Sequence, residues 1–188
     1  MKMKRWLAWM LLLFALPAAA MEVAGVKVTD KATVGAQALV LNGAGIRTRI
    51  IFKVYVGALY LVEKKATAAD VLAQDGAKRV ALTLLRDLSA QQLREAFDKG
   101  IEANSSAAEI ETMKPRIAEL LSLFVDGREG DVILIDYLPG AGTAVTLNGA
   151  PQGKPIPGED FYRALLRIWL GDKPVDEDLK QAMLGGAH

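Results

Sequence analysis

The stretch LNGAGIRTRIIFKVYVGALYLVEK, Leu41 to Lys64, decides how this chain is read. Its Ile, Val, Phe and Tyr residues suit a pleated, half-buried surface, so Ile46 to Val62 is predicted to be one bent strand or two consecutive ones. Gly57 marks an expected bend or a close approach, and Gly43 and Gly45 are read as supplying turn freedom ahead of it. With a period of two, a continuous strand places Arg47, Arg49, Lys53 and Tyr55 on one face and Ile46, Ile50, Phe52, Val54 and Val56 on the other. The first face turns apolar at Leu59 and Leu61. Three cations and a phenol merging into leucines either meet water at one end or line a cavity for an anionic or polar guest.

Working outward, the first twenty residues stand apart. MKMKR is a basic opening, WLAWMLLLFAL an eleven-residue apolar run, and PAAAME offers small residues at Ala18 and Ala20. This predicts a secretory leader over 1–20, cleaved after Ala20, and hence a periplasmic or secreted protein. The run is shorter than the roughly 20 residues that cross a bilayer, and no later segment is apolar enough to do so. Without cysteine, acylation at a lipoprotein cysteine and disulfide bonds are both excluded. Losing Lys2, Lys4 and Arg5 leaves 20 of the 23 basic residues against 22 acidic ones, a formal charge of −2. That balance, with export, argues against nucleic acid as a partner. Residues 21–188 fit one domain, with no repeat or linker dividing them.

Along that domain, MEVAGVKV is read as an N-terminal strand, TAADVLAQD as a short helix closed near Gly76, and KRVALTLLR as another strand. Ser89 is the expected N-cap of AQQLREAFDKGIEAN, whose Leu93, Phe97 and Ile101 recur along one face. A second helical stretch, AAEIETMKPRIAELLSLF, should kink or restart at Pro115. PGAG splits GDVILIDYLPGAGTAVTLNG into a hairpin, and GEDFYRALLRIWLG forms a helix stopped by Gly171. Asp176 caps a last short helix in KPVDEDLKQAML. The order of strands, helices, strands, helices predicts an α+β domain with an antiparallel sheet covered by helices on one side.

Residue inventory removes most catalytic chemistry. The single histidine, His188, ends the chain after GGA, so thiol nucleophiles, Ser-His-Asp triads and nitrogen–sulfur zinc sites are excluded. DEDLK is better explained as an acidic first helical turn than as a metal site, and neither GAG leads into a phosphate-binding helix. Asp131 and Asp136 fall on opposite strand faces, unlike a cooperating acid pair. No metal or cofactor is implied. What remains is the cationic face. Arg49 and Lys53 read first as solvated or snorkelling side chains. Arg47 follows the flexible GAG, where a guanidinium could reach into a groove and take a carboxylate with both nitrogens, and a structural role is an equal alternative. Tyr55 lies where the face becomes apolar and a buried phenol needs a partner. Arg47, Tyr55, Lys53 and Leu59 form the expected ligand-facing set.

LNGAGIRTRIIFKVYVGALYL resembles the signature segment of the chalcone-isomerase-like proteins, and IWLGDKPVDEDLKQAMLG resembles the ending of their exported bacterial group. RDLSAQQLREAFDKGIEAN and GDVILIDYLPGAGTAVTLNG extend the likeness over essentially all of residues 21–188. The resemblance implies an open-faced sandwich, a large antiparallel sheet against a helical layer, with a ligand cleft between them. Plant members cyclise chalcones, and related members bind fatty acids without isomerising anything. By motif, Arg47 matches the arginine that meets the substrate's nucleophilic oxygen. Lys53, Val54 and Tyr55 match the enzymes' Lys-Phe-Thr, so Tyr55 stands where they have a catalytic threonine. The segment bearing their catalytic tyrosine is LSAQQLREAF here and has none, and the stretch from Arg47 to Lys53 is shorter. The expectation is a non-catalytic exported domain that binds a fatty acid or similar amphiphile. An isomerase of the chalcone type and a ligand-free envelope interaction domain are the alternatives.

Overall fold

The structure, a computed structural model, describes residues 20–186. The predicted leader lies outside the described residues except for Ala20, and so does His188. MEVAGVKV is two strands rather than one: β1 (Ala20–Val23) and β2 (Val26–Thr29) form a separate antiparallel hairpin that turns through Ala24 and Gly25 at positive φ. The main sheet is a seven-stranded antiparallel meander, each strand beside its sequence neighbour. Its members are β3 (Lys31–Val34), β4 (Gln37–Arg49), β5 (Phe52–Leu61), β6 (Lys78–Leu84), β7 (Val132–Leu138), β8 (Gly142–Leu147) and β9 (Ala150–Pro151).

Among the described residues five helices accompany the sheet: α1 (Ala68–Ala73), α2 (Ala90–Ala103), α3 (Ala107–Ser122), α4 (Glu159–Leu170) and α5 (Glu177–Met183). Ser89 and Ser106 close capping boxes with Gln92 and Glu109, so α2 and α3 both begin with their first backbone donors satisfied. Pro115 neither ends nor restarts α3, which runs unbroken from Ala107 to Ser122. Its ring is on the exposed face, where water can bind the carbonyl it leaves unpaired, while Met113, Ile117 and Leu120 hold the opposite face in the core. The expected α+β architecture is the one observed. No helix among the described residues is long and apolar enough to cross a membrane.

Two apolar clusters lie on the two faces of the sheet. The inner one joins Tyr55, Leu59, Leu61, Val80, Leu82 and Ile135 to Phe97, Leu120, Phe161 and Trp169 of the helices. The outer one joins Leu39, Leu41, Val56, Ala58 and Tyr60 to Val28 of β2. On this outer face Arg79 donates through Nε and Nη2 to both oxygens of Asp136, each at 2.6 Å, across directly paired positions of β6 and β7. Both charges are largely buried, and the two-pronged geometry is what makes that tolerable.

The sequence reading assigned the wrong role to the first GAG. Gly43 and Gly45 lie inside β4, and Gly45 pairs with Gly57 of β5, so none of the three bends the chain. They make room. A Cβ on Gly43 would overlap the carbonyl oxygen of Ala182, and one on Gly57 would come within 3.3 Å of Leu179. The glycine patch is therefore where α5 lies against the sheet. Asn42, extra in the pairing between Leu41 and Gly43, secures this contact: its Nδ2 donates to Met183 O (2.7 Å) and Lys65 O, and its Oδ1 accepts from Lys65 N.

Gly43→Ala should cost about 1–3 kcal/mol in denaturant unfolding, because backbone on both sides must move. Gly57→Ala should cost less, since only a leucine side chain must shift. A second expectation concerns pH. Tyr162 is fully buried with its hydroxyl donating to Ile135 O, and burial, reinforced by Asp136, pushes its pKa well up. The folded state keeps this proton where the unfolded chain releases it. The stabilisation is complete below the unfolded tyrosine value of about 10 and drains away as pH rises above it. Thermal melts should fall above pH 10, and Tyr162→Phe should flatten that fall.

Candidate functional site

β4 and β5 turn back on each other at Ile50 and Ile51, so Gly57, expected as a bend or a close approach, is a close approach, to Leu179. Register then settles which side chains share a face. Arg47 pairs with Tyr55, yet Thr48 pairs with Lys53 and Arg49 with Phe52, leaving Val54 as an extra residue on β5. This bulge turns both Val54 and Tyr55 towards the helices. It also breaks the expected alternation. Phe52 joins Arg47 and Arg49 on the inner face, and Lys53 is carried to the other side with Thr48.

Between this end of the sheet and the helices lies a cavity of about 260 Å³. Its sheet wall is Arg47, Arg49, Phe52, Val54, Tyr55 and Leu82. Leu93, Ala96 and Phe97 of α2 face it, Ile168 and Trp169 of α4 close the inner end, and Arg86 and Ile50 stand at the rim. Most of this lining is apolar. Phe97 packs edge-on to Trp169 with centroids 5.8 Å apart, and the Trp169 indole N–H donates to the Tyr55 hydroxyl at 2.8 Å. Burial raises the Tyr55 pKa, with Arg47 and the Trp169 bond acting in the opposite direction and Asp176 adding to the rise. The phenol is thus a neutral, poorly acidic group whose oxygen already accepts one bond.

Arg47 is half-buried with its guanidinium 5.5 Å from the centroid of the Tyr55 ring. Its Nε is buried without a hydrogen-bond partner, and Arg47 joins no ion pair among the described residues. The nearby carboxylate of Asp176 is occupied instead: it accepts from Leu179 N as the cap of α5 and from Thr48 N at 2.8 Å. A cation with unused donors at the wall of an apolar cavity has the chemistry to pair with an anionic group.

Of the four residues expected to face a ligand, Arg47 and Tyr55 come together in the cavity. Lys53 is exposed and outside it, displaced by the bulge, and Leu59 is wholly buried in the inner core beyond it. Arg49 is exposed, as expected, and also lines the cavity, so the mouth carries Arg47, Arg49 and Arg86 rather than a single cation. Trp169 has no site role in the sequence analysis; its pairing with Tyr55 spans a chain separation of 114 residues that no local pattern reveals. The α2 segment LSAQQLREAF, which lacks tyrosine, presents Gln92 and Leu93 to the cavity, and the Gln92 amide oxygen is engaged in capping Ser89 N.

No curated protein sequence matches this chain. Among solved structures, a fatty-acid binding protein of Arabidopsis thaliana is similar, with a TM-score of 0.62, 16% sequence identity, and coverage of 85% of this chain and 92% of that one. At that identity the likeness shows the fold. A family profile described as chalcone isomerase-like matches residues 20–185, essentially the entire described domain, and by that match the chain belongs to the chalcone isomerase-like family.

Proposed function

We propose that this protein is an exported, non-catalytic binding domain that takes a fatty acid or similar anionic amphiphile into the cavity beside Arg47. The observation carrying this reading is the unpartnered Arg47 guanidinium at the wall of a mainly apolar 260 Å³ space. Its forked donors suit a carboxylate, while the apolar lining suits a hydrocarbon chain, each buried CH₂ adding about 0.8 kcal/mol. The likeness to a plant fatty-acid binding protein supports the same reading. Cyclisation of a chalcone finds little support, because it needs charge stabilisation and proton transfer at the reacting oxygen. The cavity's phenol, Tyr55, is held neutral by burial and already hydrogen-bonded to Trp169. Export rests on the leader-like residues 1–20.

Isothermal titration with one saturated fatty acid and its matched alcohol tests the anchor. Arg47→Ala should weaken acid binding by about 1.5–3 kcal/mol, roughly 10- to 150-fold, and leave alcohol binding nearly unchanged. Arg47→Lys should recover part of that loss, since an ammonium lacks the planar fork. Lys53→Ala, altering the same hairpin outside the cavity, should have little effect. Equal affinity for acid and alcohol, or equal losses in the Arg47 and Lys53 variants, would show that Arg47 is no carboxylate anchor; turnover of a chalcone abolished by Arg47→Ala would replace the binding reading with an isomerase. Export is checked by the N-terminal sequence of protein expressed with its leader in a Gram-negative host, expected to begin at Met21.

A further inference from the structure

Six large apolar side chains are exposed among the described residues, and the three most exposed are consecutive: Ile50 at 88%, Ile51 at 78% and Phe52 at 54%. They form the tip of the β4–β5 hairpin, at the rim of the cavity. Ile50 sits at φ +62°, a conformation unfavourable for a β-branched residue and relaxed for Asn or Gly, so the tip holds isoleucine where turn chemistry disfavours it. Around the tip stand Arg49, Lys53 and Arg86, all exposed, with the Arg86 guanidinium 5.2 Å from the Phe52 ring centroid. None of these three cations forms an ion pair among the described residues. Asp87, next to Arg86 in sequence, accepts from Glu129 N, and Asp176 accepts from Thr48 N and Leu179 N; neither is bonded to these cations. An apolar tip inside an unneutralised basic collar is thus built into a domain whose expected overall charge is negative.

We propose that this hairpin tip is a docking element for an anionic lipid bilayer: Ile50, Ile51 and Phe52 enter the acyl boundary while Arg49, Lys53 and Arg86 meet the lipid head-group phosphates. The chemistry matches on both counts, since surface-binding elements combine apolar side chains with cations that add attraction to anionic lipid. A stable protein partner fits less well. Such an interface takes roughly 800 Å² from each side, far more than three side chains on a narrow turn provide. Docking there brings the cavity mouth, which the same tip borders, against the bilayer, the source from which an amphiphile of the class proposed above would enter. That entry route rests on the binding reading; the docking itself does not.

Ile51 and Lys53 separate the two, because both are exposed and neither lines the cavity. The experiment is co-sedimentation of the mature chain with vesicles of phosphatidylcholine mixed with phosphatidylglycerol, and with vesicles of phosphatidylcholine alone. Expected are binding to the anionic vesicles, weakening as salt is raised, and much weaker binding to the neutral ones. Ile51→Asp should reduce binding to anionic vesicles by about tenfold or more, and Lys53→Glu by severalfold, both with unchanged circular dichroism. Fatty-acid titrations of these two variants should match wild type, so loss of docking and loss of ligand binding are read independently. Absence of vesicle binding in wild type, or wild-type binding by Ile51→Asp, overturns the proposal. Sedimentation velocity showing a dimer that Ile51→Asp dissolves also overturns it, by assigning the tip to a second copy of this chain.

Discussion

The candidate site depends on one backbone irregularity, the extra residue Val54 opposite the Arg47–Thr48 step. A regular hairpin here would keep Val54 on the outer face. Because a shift of one residue sends every later side chain to the opposite face, the bulge sorts the whole tip. It sets Tyr55 beneath Arg47, gives Phe52 to the cavity wall and removes Lys53 from it.

A cavity survives in a close-packed interior only where the surrounding side chains are held from collapsing into it. Here the inner end is braced by the Trp169–Tyr55 hydrogen bond and by Phe97, which contacts Trp169 on one side and Phe124 on the other, with ring centroids 5.8 and 4.5 Å away. Trp169 is almost completely buried, so its N–H has no water to turn to, and Tyr55 is its partner. The other anchor is more distant. α5 lies on the Gly43–Gly57 platform, and its cap Asp176 ties the chain to Thr48, next to Arg47. The glycines that the sequence offers as a flexible approach to Arg47 thereby fix its position.

Periodicity and capping residues made most of the architecture legible. Ser89, Asp176 and Gly171 are helix-end signals that act locally, and they stand where expected. PGAG likewise separates β7 from β8. The misreadings have different causes. Gly43 looks like a turn until α5, about 140 residues later, is laid across it. Pro115 looks like a break until its carbonyl neighbour is seen to face water. At the site, alternation put Arg47 and Tyr55 on one face, where the structure also has them, but it misplaced Lys53 and Phe52, because a bulge leaves no mark in a run of β-formers. Trp169 could have been suspected only as a buried indole in need of an acceptor.

The treatment of cations separates the two faces of the sheet. On the outer face, Arg79 is buried and answered at once by both oxygens of Asp136. At the inner face Arg47 is also partly withdrawn from water, yet Asp176, the carboxylate close enough to influence Tyr55, spends its oxygens on backbone N–H groups. Structural arginines are stabilised by neutralisation, because desolvating a guanidinium without a counter-charge is unfavourable. A fold that supplies this pairing to Arg79 and withholds it from Arg47 leaves Arg47 with a buried, unpartnered Nε, the feature on which the proposed binding reading rests. Under that reading the mainly apolar walls suit an anion with a hydrocarbon body, and Tyr55, kept neutral by burial, suits orienting it better than transferring a proton.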